Sequence, residues 1–241
     1  MVKSKSVFIC SNCGNEAAKW IGKCPACGEW NTYVEEVIRK SSRNQSLESG
    51  HADASPVKIT SVKSDTLKRI DTQISELNRI LGGGMVPGSL TLVGGEPGIG
   101  KSTLVLQLAL KLDHLKVLYV SGEESAQQIK MRADRINRKQ SENCYLLSEV
   151  FIENIFTQVK HVKPNLIIVD SIQTIYSEMS DSPPGSISQV RDCTARFLKF
   201  AKESTIPVVL VGHITKDGTL AGPKILEHIV DVVLLFEGET T

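Results

Sequence analysis

The sequence predicts an α/β fold, a mostly parallel sheet with helices on both faces, preceded by a small four-cysteine module. Three observations carry that expectation. Six apolar runs, largely continuous rather than alternating, recur from Ser89 onward with helical periods between them, the pattern of strands buried on both faces. The stretch Gly95-Glu96-Pro97-Gly98-Ile99-Gly100-Lys101-Ser102 has the G-x-x-x-x-G-K-[ST] spacing of a phosphate-binding loop, with a strand before it and a helix after it. Two C-x-x-C pairs, Cys10/Cys13 and Cys24/Cys27, stand near the N-terminus.

The totals set bounds. A chain of 241 residues with 41% hydrophobic content holds one substantial domain plus a small module. Its 28 basic and 27 acidic residues leave a formal charge of +1, so any surface for nucleic acid must be local. No apolar run approaches the ~20 residues of a membrane span, and the first ten residues carry lysines but no long apolar segment. No membrane partner is expected. Six cysteines, four of them in C-x-x-C pairs, fit a reducing compartment and a metal better than a disulfide framework. The expectation is a cytoplasmic protein.

Residues 1–34 are expected to be a zinc-binding module. Each C-x-x-C can form a knuckle that points two thiolates at one ion, and Gly14 and Gly28 follow where a tight knuckle wants small residues. Cys10, Cys13, Cys24 and Cys27 would close a tetrahedral, structural Zn²⁺ site that folds its own segment and does no chemistry. Trp20 and Trp30, the only tryptophans, flank the second pair. They would supply the module's small core; the alternative is a stacking surface for a base or a partner. Residues 35–61, polar and without apolar period around Lys40–Gly50, read as a linker. Residues 62–241 make the main domain.

That domain opens with a short helix around Ser75–Leu81, stopped by Gly82-Gly83-Gly84. Ser89–Val93 is the strand that enters the phosphate loop, and Leu104, Leu106, Leu108, Ala109 and Leu112 mark the helix that leaves it. Further strands are expected at Lys116–Val120, Asn143–Leu147, Leu166–Asp170, Pro207–Val211 and Val230–Phe236, with helices at Ala126–Arg138, Val150–His161 and Ile187–Glu203. Ligands of such sheets sit at the carboxyl ends of the strands, where the polar motifs fall.

The phosphate loop implies a bound nucleoside triphosphate. Its glycines let successive N–H groups curl around phosphate oxygens, and the helix start adds unpaired donors and a positive dipole end. The candidate nucleotide-binding set is Gly95, Glu96, Pro97, Gly98, Ile99, Gly100, Lys101, Ser102 and Thr103. Lys101 would reach the β/γ-phosphates and Ser102 would hold Mg²⁺. Asp170, ending a buried strand, is the expected acid on the Mg²⁺ side. Glu123 and Glu124 close another strand; if it lies beside the loop strand, one carboxylate, preferentially Glu123, could polarise the attacking water. His213 ends the Pro207–Val211 strand, where it could pass a γ-phosphate contact to the next loop. That loop, with Lys216 and Lys224, is a candidate contact for a phosphate backbone.

At this point the sequence resembles the RadA (Sms) family of bacterial DNA-repair proteins, relatives of the RecA recombinase. The resemblance covers nearly the whole chain. It rests on Cys10-x-x-Cys13-Gly14…Trp20-x-Gly22-Lys23-Cys24-Pro25-x-Cys27-x-x-Trp30, on Glu76-Leu77-Asn78-Arg79-Ile80-Leu81-Gly82-Gly83-Gly84-x-Val86-Pro87-Gly88, and on the phosphate loop. It rests also on Ser121-Gly122-Glu123-Glu124-Ser125, on Gly212-His213-Ile214-Thr215-Lys216 and on Ala221-Gly222-Pro223-Lys224-x-Leu226-Glu227-His228. It implies a RecA-like ATPase core that forms hexameric rings on single-stranded and branched DNA and drives branch migration with a RecA-type recombinase. By the same resemblance Lys101 and Ser102 serve ATP and Mg²⁺, Asp170 is the Mg²⁺-side acid, Glu123 is the catalytic glutamate, and the Lys216 loop contacts DNA. The family usually continues into a Lys-Asn-Arg-Phe-Gly motif and a domain resembling Lon protease, and the sequence stops at Thr241 before either; a truncated core is the expectation. Two further readings stay open: a nucleotide-gated assembly or signalling module without translocation, and a zinc-dependent docking protein with a vestigial ATPase.

Overall fold

Strand pairing divides the chain into two sheets. The computed structural model describes residues 4–39, 56, 58–61, 68–136, 141–180, 182–213 and 226–238. The first sheet is antiparallel, in the order β2-β1-β3, from β1 (Ser4–Cys10), β2 (Glu16–Ala17) and β3 (Tyr33–Arg39). Two turns between these strands carry the cysteines, and both close alike: the Gly14 N–H donates to the Cys10 carbonyl at 2.8 Å and the Gly28 N–H to the Cys24 carbonyl at 2.9 Å. The structure moves one expected boundary. β3 pairs with β1 from Cys10↔Tyr33 to Ser4↔Arg39, so residues 35–39, expected as linker, are strand. The reason is that β1 starts well ahead of Cys10 and offers β3 a ladder along its full length. Residues 40–55 and 57 of the expected linker lie outside the described residues.

The second sheet has six strands in the order β6-β5-β7-β8-β4-β9, and every neighbouring pair is parallel. In chain order its elements are α1 (Ser75–Ile80), β4 (Leu90–Gly95), α2 (Lys101–Lys111), β5 (Val117–Ser121), α3 (Ala126–Ile136), β6 (Cys144–Ser148), α4 (Ile152–Val162), β7 (Leu166–Asp170), α5 (Ile187–Ser204), β8 (Val208–His213) and β9 (Val232–Phe236). Each expected strand and helix is present, with ends shifted by a few residues. The period-2 geometry of the strands sorts their side chains onto two faces. Leu90, Leu92, Leu118, Val120, Ile167, Val169, Val208 and Leu210 face α4 and α5, packing with Ile152, Ile155, Val190 and Phe197. Val93, Val117, Tyr119, Leu166, Ile168, Val209 and Val211 face α1, α2 and α3, packing with Leu77, Leu106, Leu108 and Ile129. Both faces are therefore buried, which is why the strands read as unbroken apolar runs.

The small sheet packs on the large domain through its first strand. Ile9 is buried inside the core layer between the large sheet and α5, and Val7 packs against the same layer. The Glu36 carboxylate, also buried, accepts from the Ile187 N–H at 3.0 Å. It thereby satisfies a donor at the open N-terminal end of α5 and complements the helix dipole. The Arg191 guanidinium donates back to the Gly14 carbonyl at 3.2 Å. Among the described residues no helix is long and apolar enough to cross a membrane.

Candidate active site and metal centre

The carboxyl ends of β4, β5, β7 and β8 open onto one cleft, a cavity of about 380 Å³ lined by Pro97, Gly98, Ser102, Glu123, Asp170 and His213 among others. Gly100, the residue before α2, has φ +110°, a left-handed backbone that a side chain would resist. This turn lets Lys101 open the helix and fold back into the loop. Its buried ammonium donates to the carbonyls of Gly95 and Glu96, both at 2.8 Å. Burial pulls Lys101 below the ordinary lysine range, and the negative charges of Asp170 and Glu123 only partly oppose it. The lysine is thus a desolvated cation held at the floor of the loop. Glu96 and Thr103 are exposed at its rim.

Asp170 stands at the centre of the site. One carboxylate oxygen, Oδ1, accepts from the Ser102 hydroxyl at 3.1 Å; the other, Oδ2, accepts from the Tyr119 hydroxyl at 2.6 Å. Burial and the adjacent Asp170 charge push the Tyr119 hydroxyl well above its ordinary value, so it remains a protonated donor. The Glu123 carboxylate accepts from the Ser171 hydroxyl at 2.6 Å and lies 3.5 Å from His213 Nε2. Glu124, which lines the same cavity, pairs with Arg132 at 2.7 Å.

The structure brings Lys101, Ser102, Asp170, Glu123 and His213 together. The strand adjacency on which the role of Glu123 was conditional is not what brings it there. β5, whose end Glu123 follows by two residues, is not beside β4; β7 and β8 lie between them. Glu123 enters the cleft because Ser121 at the end of β5 is in register with Asp170, and the chain then turns at Gly122 toward the cleft. Lys216 and Lys224 lie outside the described residues. Tyr119, Arg132 and Ser171 are the site residues that sequence reasoning missed. Ser171 follows Asp170 directly and was within reach of the motif; Tyr119 reads as one more apolar strand residue.

In the small sheet, the four sulfurs of Cys10, Cys13, Cys24 and Cys27 lie within 4.8 Å of one another. The Cys10–Cys27 and Cys13–Cys24 separations are 3.7 and 3.5 Å. A tetrahedral ion with sulfur ligands at ~2.3 Å sets its sulfurs roughly 3.8 Å apart, so the cluster has the size of a Zn²⁺ cage. Burial raises the Cys24 thiol, but N–H donors from Cys27 and Ala26 and the Tyr33 hydroxyl outweigh it and bring it down to about 6, which favours a thiolate ligand. The two tryptophans are not core: Trp20 is 53% and Trp30 67% exposed. The core they were expected to supply comes from the cysteines and Tyr33, and from the seat of Ile9 on the large domain. The Lys23 ammonium sits 5.6 Å from the Trp30 ring centroid, a cation–π distance.

Comparison with known proteins places this geometry. Residues 54–219 match the family described as AAA domain, and residues 8–35 match the rubredoxin metal binding domain. The chain belongs to the AAA domain family, as a RecA-like core carrying an N-terminal zinc ribbon. Within it, the chain is similar to DNA repair protein RadA, being 54% identical to the protein of Halalkalibacterium halodurans and 50% to those of Bacillus subtilis and Listeria monocytogenes. Each of these alignments takes in 99% of this chain and 53% of the relative. The chain thus spans about half the length of the curated relatives it matches.

Proposed function

We propose that this chain is the ATPase part of a DNA-dependent motor of recombinational DNA repair, which hydrolyses ATP in the cleft and promotes branch migration on single-stranded DNA. The observation that carries the reading is the meeting of Ser102, Asp170 and Glu123 around one cavity, with the buried Lys101 ammonium within electrostatic reach of both acids. In this reading Gly95–Thr103 wrap the triphosphate, and Lys101 leaves the Gly95 and Glu96 carbonyls for β/γ-phosphate oxygens. Ser102 and Asp170, two oxygen donors side by side, suit a hard cation; Mg²⁺ held there would neutralise charge on the phosphates. Glu123, fixed by the Ser171 hydroxyl, orients a water and takes its proton as it attacks.

The remaining assignments belong to the same proposal. Zn²⁺ in the four-cysteine cage is structural, and the zinc-binding module ends with β3 rather than at residue 34. Trp20 and Trp30, both exposed, the latter beside Lys23, offer stacking faces for unpaired bases. Lys216 and Lys224 contact the DNA backbone, the working assembly is a hexamer with a RecA-type recombinase as partner, and the site of action is the cytoplasm. The names of the RadA relatives support repair. The test is ATP hydrolysis with and without single-stranded DNA, alongside Lys101→Ala. The expected outcome is turnover that rises with DNA and vanishes in the variant. Turnover indifferent to DNA would favour a nucleotide-gated module without translocation.

A further inference from the structure

A hydrogen-bonded chain runs from the rim of the cleft to its central acid. Glu124 Oε2 holds Arg132 Nη2 at 2.7 Å. The same nitrogen donates to the Tyr119 hydroxyl at 3.3 Å, and that hydroxyl donates to Asp170 Oδ2 at 2.6 Å. Arg132 Nη2 itself stays 3.8 Å from Asp170 Oδ2. We propose that Tyr119, Arg132 and Glu124 form a positioning relay that sets how Asp170 presents itself to the divalent cation of the nucleotide. The inference rests on the ATPase reading of the cleft.

The physical argument has two parts. A carboxylate left to itself rotates between equivalent rotamers, and its two oxygens compete for any donor. The buried Tyr119 hydroxyl occupies Oδ2, which turns Oδ1 toward Ser102 and the cavity. Outer donors of this kind orient metal ligands, and their loss typically lowers metal affinity about 10–100-fold. The second part concerns charge. Arg132 is mostly buried and already within ion-pair reach of Asp170 at 3.8 Å; a closer approach would neutralise more of the charge a cation needs. Glu124 draws the guanidinium away, and Tyr119 stands between as a neutral spacer that still passes hydrogen-bond polarisation inward. Asp170 therefore keeps both its orientation and its negative charge. The relay ends on Glu124, next in sequence to Glu123, so the base and the metal acid are braced from a single turn.

The experiment is a Mg²⁺ titration of the full chain with a fluorescent non-hydrolysable ATP analogue, reading analogue affinity in EDTA and at rising Mg²⁺, with Mn²⁺ binding followed by electron paramagnetic resonance. Tyr119→Phe removes the hydroxyl and little volume. The expected result is analogue affinity in EDTA within about twofold of wild type and a Mg²⁺ midpoint raised about tenfold or more, with Mn²⁺ binding weakened in step. Glu124→Gln, a partly exposed site that never touches Asp170, is expected to raise the midpoint in the same direction by freeing Arg132 to pair with the acid. Should Tyr119→Phe fail to fold, Glu124→Gln carries the test alone. Variants whose Mg²⁺ midpoints match the wild type, or whose affinity falls equally in EDTA, overturn the relay. A wild-type chain with no Mg²⁺-dependent gain in affinity overturns the ATPase reading itself, and the relay with it.

Discussion

Gly122 shows how little room the site leaves at the scale of one residue. A Cβ built there would collide with Thr174 Oγ1 and lie 2.7 Å from Thr174 Cβ, closer than side chains ever approach. Gly122→Ala must therefore push the end of β5 away from the segment after β7. The expected cost is roughly 1–3 kcal/mol of stability, checked by denaturant unfolding. The displaced Glu123 loses its bond from Ser171, so hydrolysis should fall by more than the folded fraction does. Lys101, Ser102 and the glycines of the loop were legible in the sequence because their chemistry depends on spacing along a few residues. Tyr119 was not, since 51 positions separate it from Asp170 and only the pairing of β5 with β7 brings them level. Arg132 was hidden for a similar reason: a helical arginine between Ile129 and Ala133 looks like solvated surface until the helix is laid on its sheet. Trp20 and Trp30 were misread because a small module normally buries its largest side chains, and this one completes its core on a neighbour instead.

Among elements, α4 and α5 are tied by a charged cluster remote from the cleft. Glu153 Oε1 accepts from the Ser177 hydroxyl at 2.5 Å and from Arg196 at 2.7 Å. Burial raises the Glu153 carboxyl, but the bonds from Ser177 and Arg196 outweigh it and hold it below the ordinary glutamate range. A carboxyl lowered in the folded state contributes stability that is fully present above the unfolded value of about 4.3, and that is lost as pH falls through the folded one. Glu153→Gln should lower stability at neutral pH by on the order of 1 kcal/mol and flatten the acid limb of a stability-versus-pH curve; an unchanged acid limb would show that the cluster adds nothing. The strands that this pair of helices covers were legible as continuous apolar runs, because both their faces are buried. Their spatial order was not, since parallel strands joined by helices leave no sequence trace of which neighbour they choose. For that reason the place of the Glu123 strand relative to the loop strand could be stated only as a condition, and the sheet order does not meet it.

For the whole molecule, the seat of the zinc ribbon on the large domain makes two modules cooperate. Ile9 lies in the core of the larger one, and Glu36 and Arg191 clasp the two together across α5. Stripping the metal with a chelator should lower the melting temperature of the entire chain in a single transition, followed by circular dichroism; two separate transitions would show that the modules are independent. Ile9→Ala should cost roughly 2–4 kcal/mol for the large domain as well as the ribbon. These contacts join residues that lie 151 and 177 positions apart, so they have a consequence for biosynthesis. The ribbon leaves the ribosome first and can gather its cysteines at once, yet its docking face stays uncovered until α5 has been made. Metal capture can therefore precede the nucleotide cleft, and a nascent chain short of zinc is expected to meet the later α5 docking step with an unformed ribbon.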